Sequence, residues 1–505
     1  MSTVARAVRH ETTEEDASSR RSFVTVLVCS LLISVFGETL AYTRAGLWGV
    51  ILVSIVVTGL LLAKKRLLAT CLLFSVALNV SEYSRDILSN TGFYSMRTVV
   101  FMGNCLANWL LILTAGVCIL TLGRRKMKLL LANGFIRFWS FGMLWFVAVG
   151  AANCVWAGNP WSYFLAELVL PVILLLSYVI VWCQPVAGRR WMATVLMTVV
   201  LARPFATVLA HLLHFHGGVF EIATYAPLSF FGVAIFGLLF AGKQHAMPRW
   251  IVWSCVLAEL YVLTFQLAGK DFFTLAIVIL LGVVGARGWQ SAIKVAGALA
   301  VVVLLILMFA FAFSQGRVSS FASEKVDQAL SLLIDGPKAI FDPEWAYAIS
   351  ASPQVRVLEF TNIVRDLAQS PLDLLFGRGA GGSFSDWRYP FVFVGSAFSA
   401  TQWETGRFYA VHESLNVVLL KFGVAGLIGW VVVVLRLIRR LRAQSESRQY
   451  FLALCTVLGV LIMLNYSGQI QMFMGAALGL AGIPDRPLVA SHLGARATAS
   501  ALPSD

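Results

Sequence analysis

Residues 161–182 read WSYFLAELVLPVILLLSYVIVW. The apolar positions run on without alternating, and Glu167 is the one charged side chain among them. About 20 such residues cross a bilayer as a helix. A backbone in lipid must also satisfy its own hydrogen bonds, so the stretch reads as a transmembrane helix and not as a barrel strand. Similar runs lie on both sides of it. They cover 23–37, 47–63, 67–80, 98–122, 139–156, 191–213, 222–241, 251–268, 272–286, 295–313, 415–435, 451–464 and 472–483. The pattern predicts an all-α polytopic membrane protein with 12 to 14 transmembrane helices.

Composition agrees. Of 505 residues, 59% are hydrophobic and 13% charged, with a mean hydropathy of +0.81, against about 25% charged in soluble proteins. The net charge of +14 does not mark a nucleic-acid binder, because the cations sit at alternate span ends. Arg20 and Arg21, Lys64 to Arg66, Arg124 to Lys126 with Lys128, Arg189 and Arg190, Lys243 with Arg249, Arg287 with Lys294, and Arg436 to Arg442 share one side. By the positive-inside rule that side is cytoplasmic. The Arg20-Arg21 pair resembles a twin-arginine signal, but no clear cleavage site follows and the next residues read as an uncleaved first span. All eight cysteines fall in or beside expected spans, as small packing residues.

One segment breaks the series of spans. Residues 314–409 form a 96-residue polar insert with eight Lys/Arg and ten Asp/Glu, which places it on the extracytoplasmic side. The chain thus divides into a polar tail (1–21), a transmembrane bundle (22–313), a large loop (314–411), C-terminal transmembrane helices (412–484) and a second cytoplasmic tail (485–505). Within the loop, Ser352-Pro353 is a helix start. Val357, Phe360, Ile363, Val364 and Leu367 then recur at helical spacing, predicting an amphipathic helix over 354–369 that turns Arg356, Glu359 and Arg365 toward polar surroundings. Gly377-Arg378-Gly379-Ala380-Gly381-Gly382 has two readings: backbone N–H groups that hold an anion around Arg378, or a flexible linker. A dinucleotide fingerprint is excluded by the missing βαβ context.

The loop ends on Ala410-Val411-His412-Glu413-Ser414-Leu415-Asn416. An imidazole at the mouth of a span is either a general base or a satisfied interfacial histidine. Glu413 and Asn416 follow in the first turn, where a carboxylate is favoured and can orient the acceptor or the imidazole. No second His completes a zinc motif, so neither metal nor cofactor is expected. Lys270, in an outward turn beside Asp271, is an anion contact or one half of a local ion pair. Arg203, Glu167 and Glu259 lie within spans, where they pair with one another or, for Arg203, face an anionic substrate. Gly423, Gly426 and Gly429 read as a small-residue packing stripe. Lys421 fits none of these roles.

Taken together and in order, Gly269-Lys270, Arg356, the run from Gly377 to Phe384, and His412 to Asn416 with Phe422-Gly423-Val424-Ala425-Gly426-Leu427 resemble the O-antigen ligase and polymerase family. The resemblance implies a GT-C-like glycosyltransferase of the bacterial inner membrane. It would take a glycan from an undecaprenyl-diphosphate carrier on the periplasmic side and join it to a lipid or glycan acceptor, alongside other envelope-assembly proteins. It implies His412 as the base, and Arg356 and Lys270 as diphosphate contacts. Read from the residues themselves, Arg378, Arg203, Gly379, Gly381 and Asn416 are further candidate substrate contacts, and Glu413 is a candidate second catalytic group. Two departures stand out. The family usually has Arg where this chain has Lys270, and Asn where it has Glu413. The competing reading is a transporter or flippase of lipid-linked sugars, although matching interrupted helices in the two halves are not seen.

Overall fold

The computed structural model describes residues 22–37, 39–41, 43–80, 94–214, 231–240, 248–266, 269–285, 293, 297, 334–335, 338–339, 341–349, 351–392, 398–444, 447–462, 464 and 467–481. The twin-arginine motif, both tails, the first part of the insert and most of the expected span over 295–313 lie outside them. Before the insert come α1 (Ser22–Ala41), α2 (Arg44–Leu62), α3 (Arg66–Asn79), α4 (Leu106–Leu120), α5 (Arg124–Ala132) and α6 (Gly134–Trp156). They are followed by α7 (Trp161–Trp182), α8 (Val186–His214), α9 (Ala234–Phe240), α10 (Arg249–Gln266) and α11 (Gly269–Gly285). A two-stranded hairpin of β1 (Val100–Phe101) and β2 (Asn104–Cys105) precedes α4.

Among the described residues six helices are long and apolar enough to cross a membrane: α1, α2, α6, α7, α8 and α15 (Ser414–Ala443). The pair α4 and α5, bent by 120°, makes a seventh if counted as one span. The expected spans over 67–80, 251–268 and 451–464 form shorter apolar helices, α3, α10 and α16 (Ser447–Ile462). The chain is an all-α polytopic membrane protein. Six or seven full-length spans lie among the described residues, while the span expected over 295–313 falls largely outside those residues and the one over 222–241 in part.

Local chemistry explains the joints. Asn133 caps α6 by accepting from the N–H groups of Phe135 and Ile136, and the Tyr178 hydroxyl of α7 donates to the same oxygen at 3.1 Å. The α5 helix turns across the bundle end, with Leu130 packed near Tyr178 and Val179 and its four cations exposed. The α8 helix is central, with 83% of its span buried, whereas α6 is peripheral at 17%. On α17 (Gly468–Ala481), Gly475 and Gly479 face the backbone of α7 at Leu174 and Tyr178, leaving almost no room for a side chain. This GxxxG contact is a close approach of two helices, and of the stripe expected at Gly423, Gly426 and Gly429, Gly423 makes another, against the backbone of Leu375 and Phe376. Gly429 instead faces open space, and Gly423 breaks α15 with φ 63° and ψ −159°.

The described part of the insert is folded. A short 3-10 turn, Pro343–Ala348, is capped by Asp342. It leads into α12 (Ala351–Leu367), close to the helix expected over 354–369. Then come α13 (Pro371–Phe376), β3 (Phe384–Ser385), α14 (Ala400–Thr405) and β4 (Arg407–Phe408), with β3 and β4 paired antiparallel. Phe384, Phe391, Phe398, Trp403 and Phe408 make edge and tilted ring contacts that give this region its own core, continuous with the apolar side of α12.

Candidate functional site

The first turn of α15 and one face of α12 meet at the foot of the insert. Arg356 and Glu359, three residues apart, lie on the same face of α12. His412 and Asn416, four apart, lie on the same side of the α15 start. Glu359, whose side chain has no exposed surface, receives three groups from across this junction. Its Oε1 lies 2.5 Å from Nδ1 of His412, while its Oε2 accepts from the His412 backbone N–H and from the Asn416 side chain, each at 3.3 Å. The α15 N-terminus has no side-chain cap of its own, so a carboxylate supplied by α12 sits where the helix dipole favours negative charge. Arg356 Nε pairs with Glu413 Oε1 at 2.5 Å. The Asn416 amide also donates to the Arg356 carbonyl at 3.4 Å.

Several expectations change here. Glu359 does not face polar solvent; burial and the α15 N-terminus make it the partner of the imidazole. Glu413 holds Arg356 and is not the group that orients His412. Asn416 is buried and braces Glu359, which leaves it as an internal tie. The His412 ring retains 23% exposure, with the Phe398 ring edge-on at 5.2 Å. Ser414 accepts from the Leu464 N–H at 2.8 Å, anchoring the first turn of α15 to the segment before α17.

Below this mouth the glycine run enters the bundle. Gly377, Gly379 and Gly381 all have positive φ. The N–H groups of Arg378 and Gly379 donate to the carbonyls of Leu420 and Lys421, which the break at Gly423 leaves without helical partners. The Ala380 N–H donates to Phe146 O on α6, and the Gly381 N–H to Glu167 Oε2 on α7 at 2.6 Å. These contacts lie roughly 10 Å inside the ends of α7 and α15 and roughly 15 Å inside the end of α6, at about 1.5 Å per residue. The run is therefore a plug set between α6, α7 and α15, its non-helical backbone satisfied by protein groups. With those N–H groups occupied, neither the anion-nest nor the linker reading describes Gly379 and Gly381.

Arg378 is held by four hydrogen bonds. It pairs with Asp366 at 2.6 Å and Asp373 at 3.0 Å and donates to the Ser383 and Asp366 carbonyls, so its neighbours make it a structural cation and not an open diphosphate contact. Lys421 anchors the plug from beneath: its ammonium lies 2.6 Å from Glu167 Oε1 and donates to Gly382 O at 2.7 Å and Tyr409 O at 3.2 Å. Glu167 thus takes Lys421 as its ion-pair partner, a residue outside the expected set of Arg203, Glu167 and Glu259. The Tyr409 ring stacks on Tyr163 at 3.9 Å, and burial, with Tyr163 and Glu167 adjacent, pushes its phenol up so that it stays protonated.

At Gly379 an added Cβ would strike the backbone of Phe146, Val149 and Gly150. Gly379→Ala is expected to lower stability by about 1–2 kcal/mol for the left-handed backbone and a further 1–3 kcal/mol or so for overpacking. Gly406→Ala, also at positive φ but facing open space, carries the backbone penalty alone. Thermal unfolding of the two variants in detergent checks this, and equal midpoints would remove the close-packing argument.

Arg203 stands apart from the mouth. It is fully buried on α8 and donates to the Asn79 carbonyl at 2.6 Å at the end of α3. Lys270 lies in the first turn of α11 rather than in an open turn, and its side chain is outside the described residues. No cluster of three or more His, Cys, Asp or Glu side chains able to hold a metal forms among the described residues. No family model matches the chain, and no curated protein matches it.

Proposed function

We propose that the chain is a membrane glycosyltransferase of the O-antigen ligase or polysaccharide-polymerase type, with a GT-C-like fold. It moves a glycan from an undecaprenyl-diphosphate carrier to an acceptor hydroxyl at the periplasmic face of the bacterial inner membrane. The observation that carries this reading is the convergence of His412 and Arg356 at one mouth, from chain segments more than fifty residues apart. Displacing an anomeric diphosphate needs a base for the acceptor proton and a cation for the leaving group. His412 supplies the first and Arg356 the second, with the donor diphosphate taking the place of Glu413 on the guanidinium. In this reading Lys270 adds a second cation without the bidentate fork of an arginine.

A transporter of lipid-linked sugars is favoured by one feature, the break in α15. Broken helices in transporters leave carbonyls open to a substrate or ion. Here those of Leu420 and Lys421 are taken by the glycine run, which supports the transferase. The test is reconstitution of the protein in vesicles with an undecaprenyl-diphosphate glycan and an acceptor. Transfer should release the carrier diphosphate, and Arg356→Ala should lower kcat/KM for the donor roughly 10- to 100-fold, the value of one hydrogen-bonded charge contact. Movement of intact lipid-linked glycan across the bilayer, with none leaving the carrier, would establish the transporter instead.

A further inference from the structure

We infer that Glu359 is the positioning residue of the transfer reaction: it takes Nδ1 of His412 and leaves Nε2 as the nitrogen that receives the acceptor proton. The inference rests on the glycosyl-transfer reading and adds to it a residue with no expected role in the chemistry.

Three observations carry it. The Glu359 carboxylate has no exposed surface, and a buried carboxylate is costly unless its oxygens are satisfied. Both are: Oε1 faces Nδ1 of His412 at 2.5 Å, and Oε2 accepts from the His412 backbone N–H and Asn416. The grip on main chain and ring together fixes the imidazole plane, with Phe398 closing one side. Finally, a carboxylate can only accept, so Nδ1 must carry the proton and Nε2 must present its lone pair. Glu413, the carboxylate next to His412 in sequence, is held by Arg356 and is not the ring's partner.

The step balances without an added reactant. The acceptor oxygen bonds to the anomeric carbon as its proton passes to Nε2. The bond from that carbon to the carrier diphosphate breaks, and its electron pair leaves with the diphosphate held by Arg356. The Glu359 carboxylate accepts from Nδ1–H throughout and stabilises the imidazolium that forms. A neutral amide at this position supplies an N–H that draws the ring into the opposite tautomer, with the proton on Nε2 and no base facing the acceptor.

The experiment compares wild type, Glu359→Gln and Glu359→Asp in the vesicle transfer assay, with thermal unfolding and ¹⁵N-histidine NMR of the same samples. Glu359→Gln should keep a near-wild-type unfolding midpoint and donor KM while kcat falls roughly 10²- to 10⁴-fold, the range for loss of a general base. The His412 signals should move from the Nδ1–H to the Nε2–H tautomer. Glu359→Asp keeps the charge on a shorter arm and should recover part of kcat. Wild-type kcat in Glu359→Gln, or an unchanged tautomer, overturns the positioning role and leaves the transferase reading intact. A wild-type protein that transfers nothing overturns that reading, and with it this one. A purely structural Glu359 would lower the midpoint in both variants without separating kcat from KM.

Discussion

His412→Asn is expected to abolish measurable glycan transfer while leaving the protein folded. The asparagine amide can stand where Nδ1 stood and still donate to Glu359, so the buried carboxylate keeps a partner, but no basic nitrogen remains. Loss of a general base lowers kcat by about 10²- to 10⁴-fold. Because the change falls on the transition state and not on donor binding, KM for the lipid-linked donor should hold. His412→Ala should be equally inactive but less stable, since one donor to Glu359 is lost. The measurement is initial-rate transfer with matched unfolding midpoints. Retained transfer in a folded His412→Asn protein would remove the imidazole from the mechanism.

Lys421→Met should unfold the plug. Lys421 and Glu167 are 1% and 5% exposed at the side chain, and removing one member of a buried pair typically costs about 3–5 kcal/mol because the other charge is stranded. Here the loss extends beyond the pair, since Lys421 also satisfies the carbonyls of Gly382 and Tyr409, three residues before His412. The double variant Lys421→Met with Glu167→Met removes both charges, yet strands those carbonyls and the Gly381 N–H, each about 1–3 kcal/mol if left unsatisfied. It should therefore recover only part of the stability. Limited proteolysis adds a local readout, with faster cleavage near residues 377–392 in the single variant. An unchanged midpoint and unchanged cleavage would show that the pair is dispensable.

The amphipathic helix of the insert was legible because apolar side chains at helical spacing report burial on one face, and Ser352-Pro353 marks a start. The role of Glu359 was not legible. Hydropathy treats every carboxylate as solvent-seeking, and only contact with the α15 N-terminus, some fifty residues later, turns this one inward. Lys421 had the opposite problem. A lone cation within an apolar run has no meaning until the turn of glycines and Glu167 arrive around it from other helices.

The surroundings of Arg378 depend on other parts of the chain for a related reason. A basic residue among glycines matches the chemistry of an anion site, yet Asp366 and Asp373 reach it through the fold of α12 and α13. Glycine itself is ambiguous in one dimension. It marks a loop, a ligand contact or a close approach of two backbones, and Gly379 against Gly150 is the last of these.

The sequence by itself determined that this chain lives in a membrane as helices, where an insert interrupts them, and that His412 stands at the start of a span. Those conclusions follow from apolar runs and local caps, which act along the chain. Tertiary structure alone decided which carboxylate holds the imidazole, that the glycine run enters the bundle, and that Lys421 ties it there. Each of these depends on burial, and burial is a property of what the rest of the chain brings alongside.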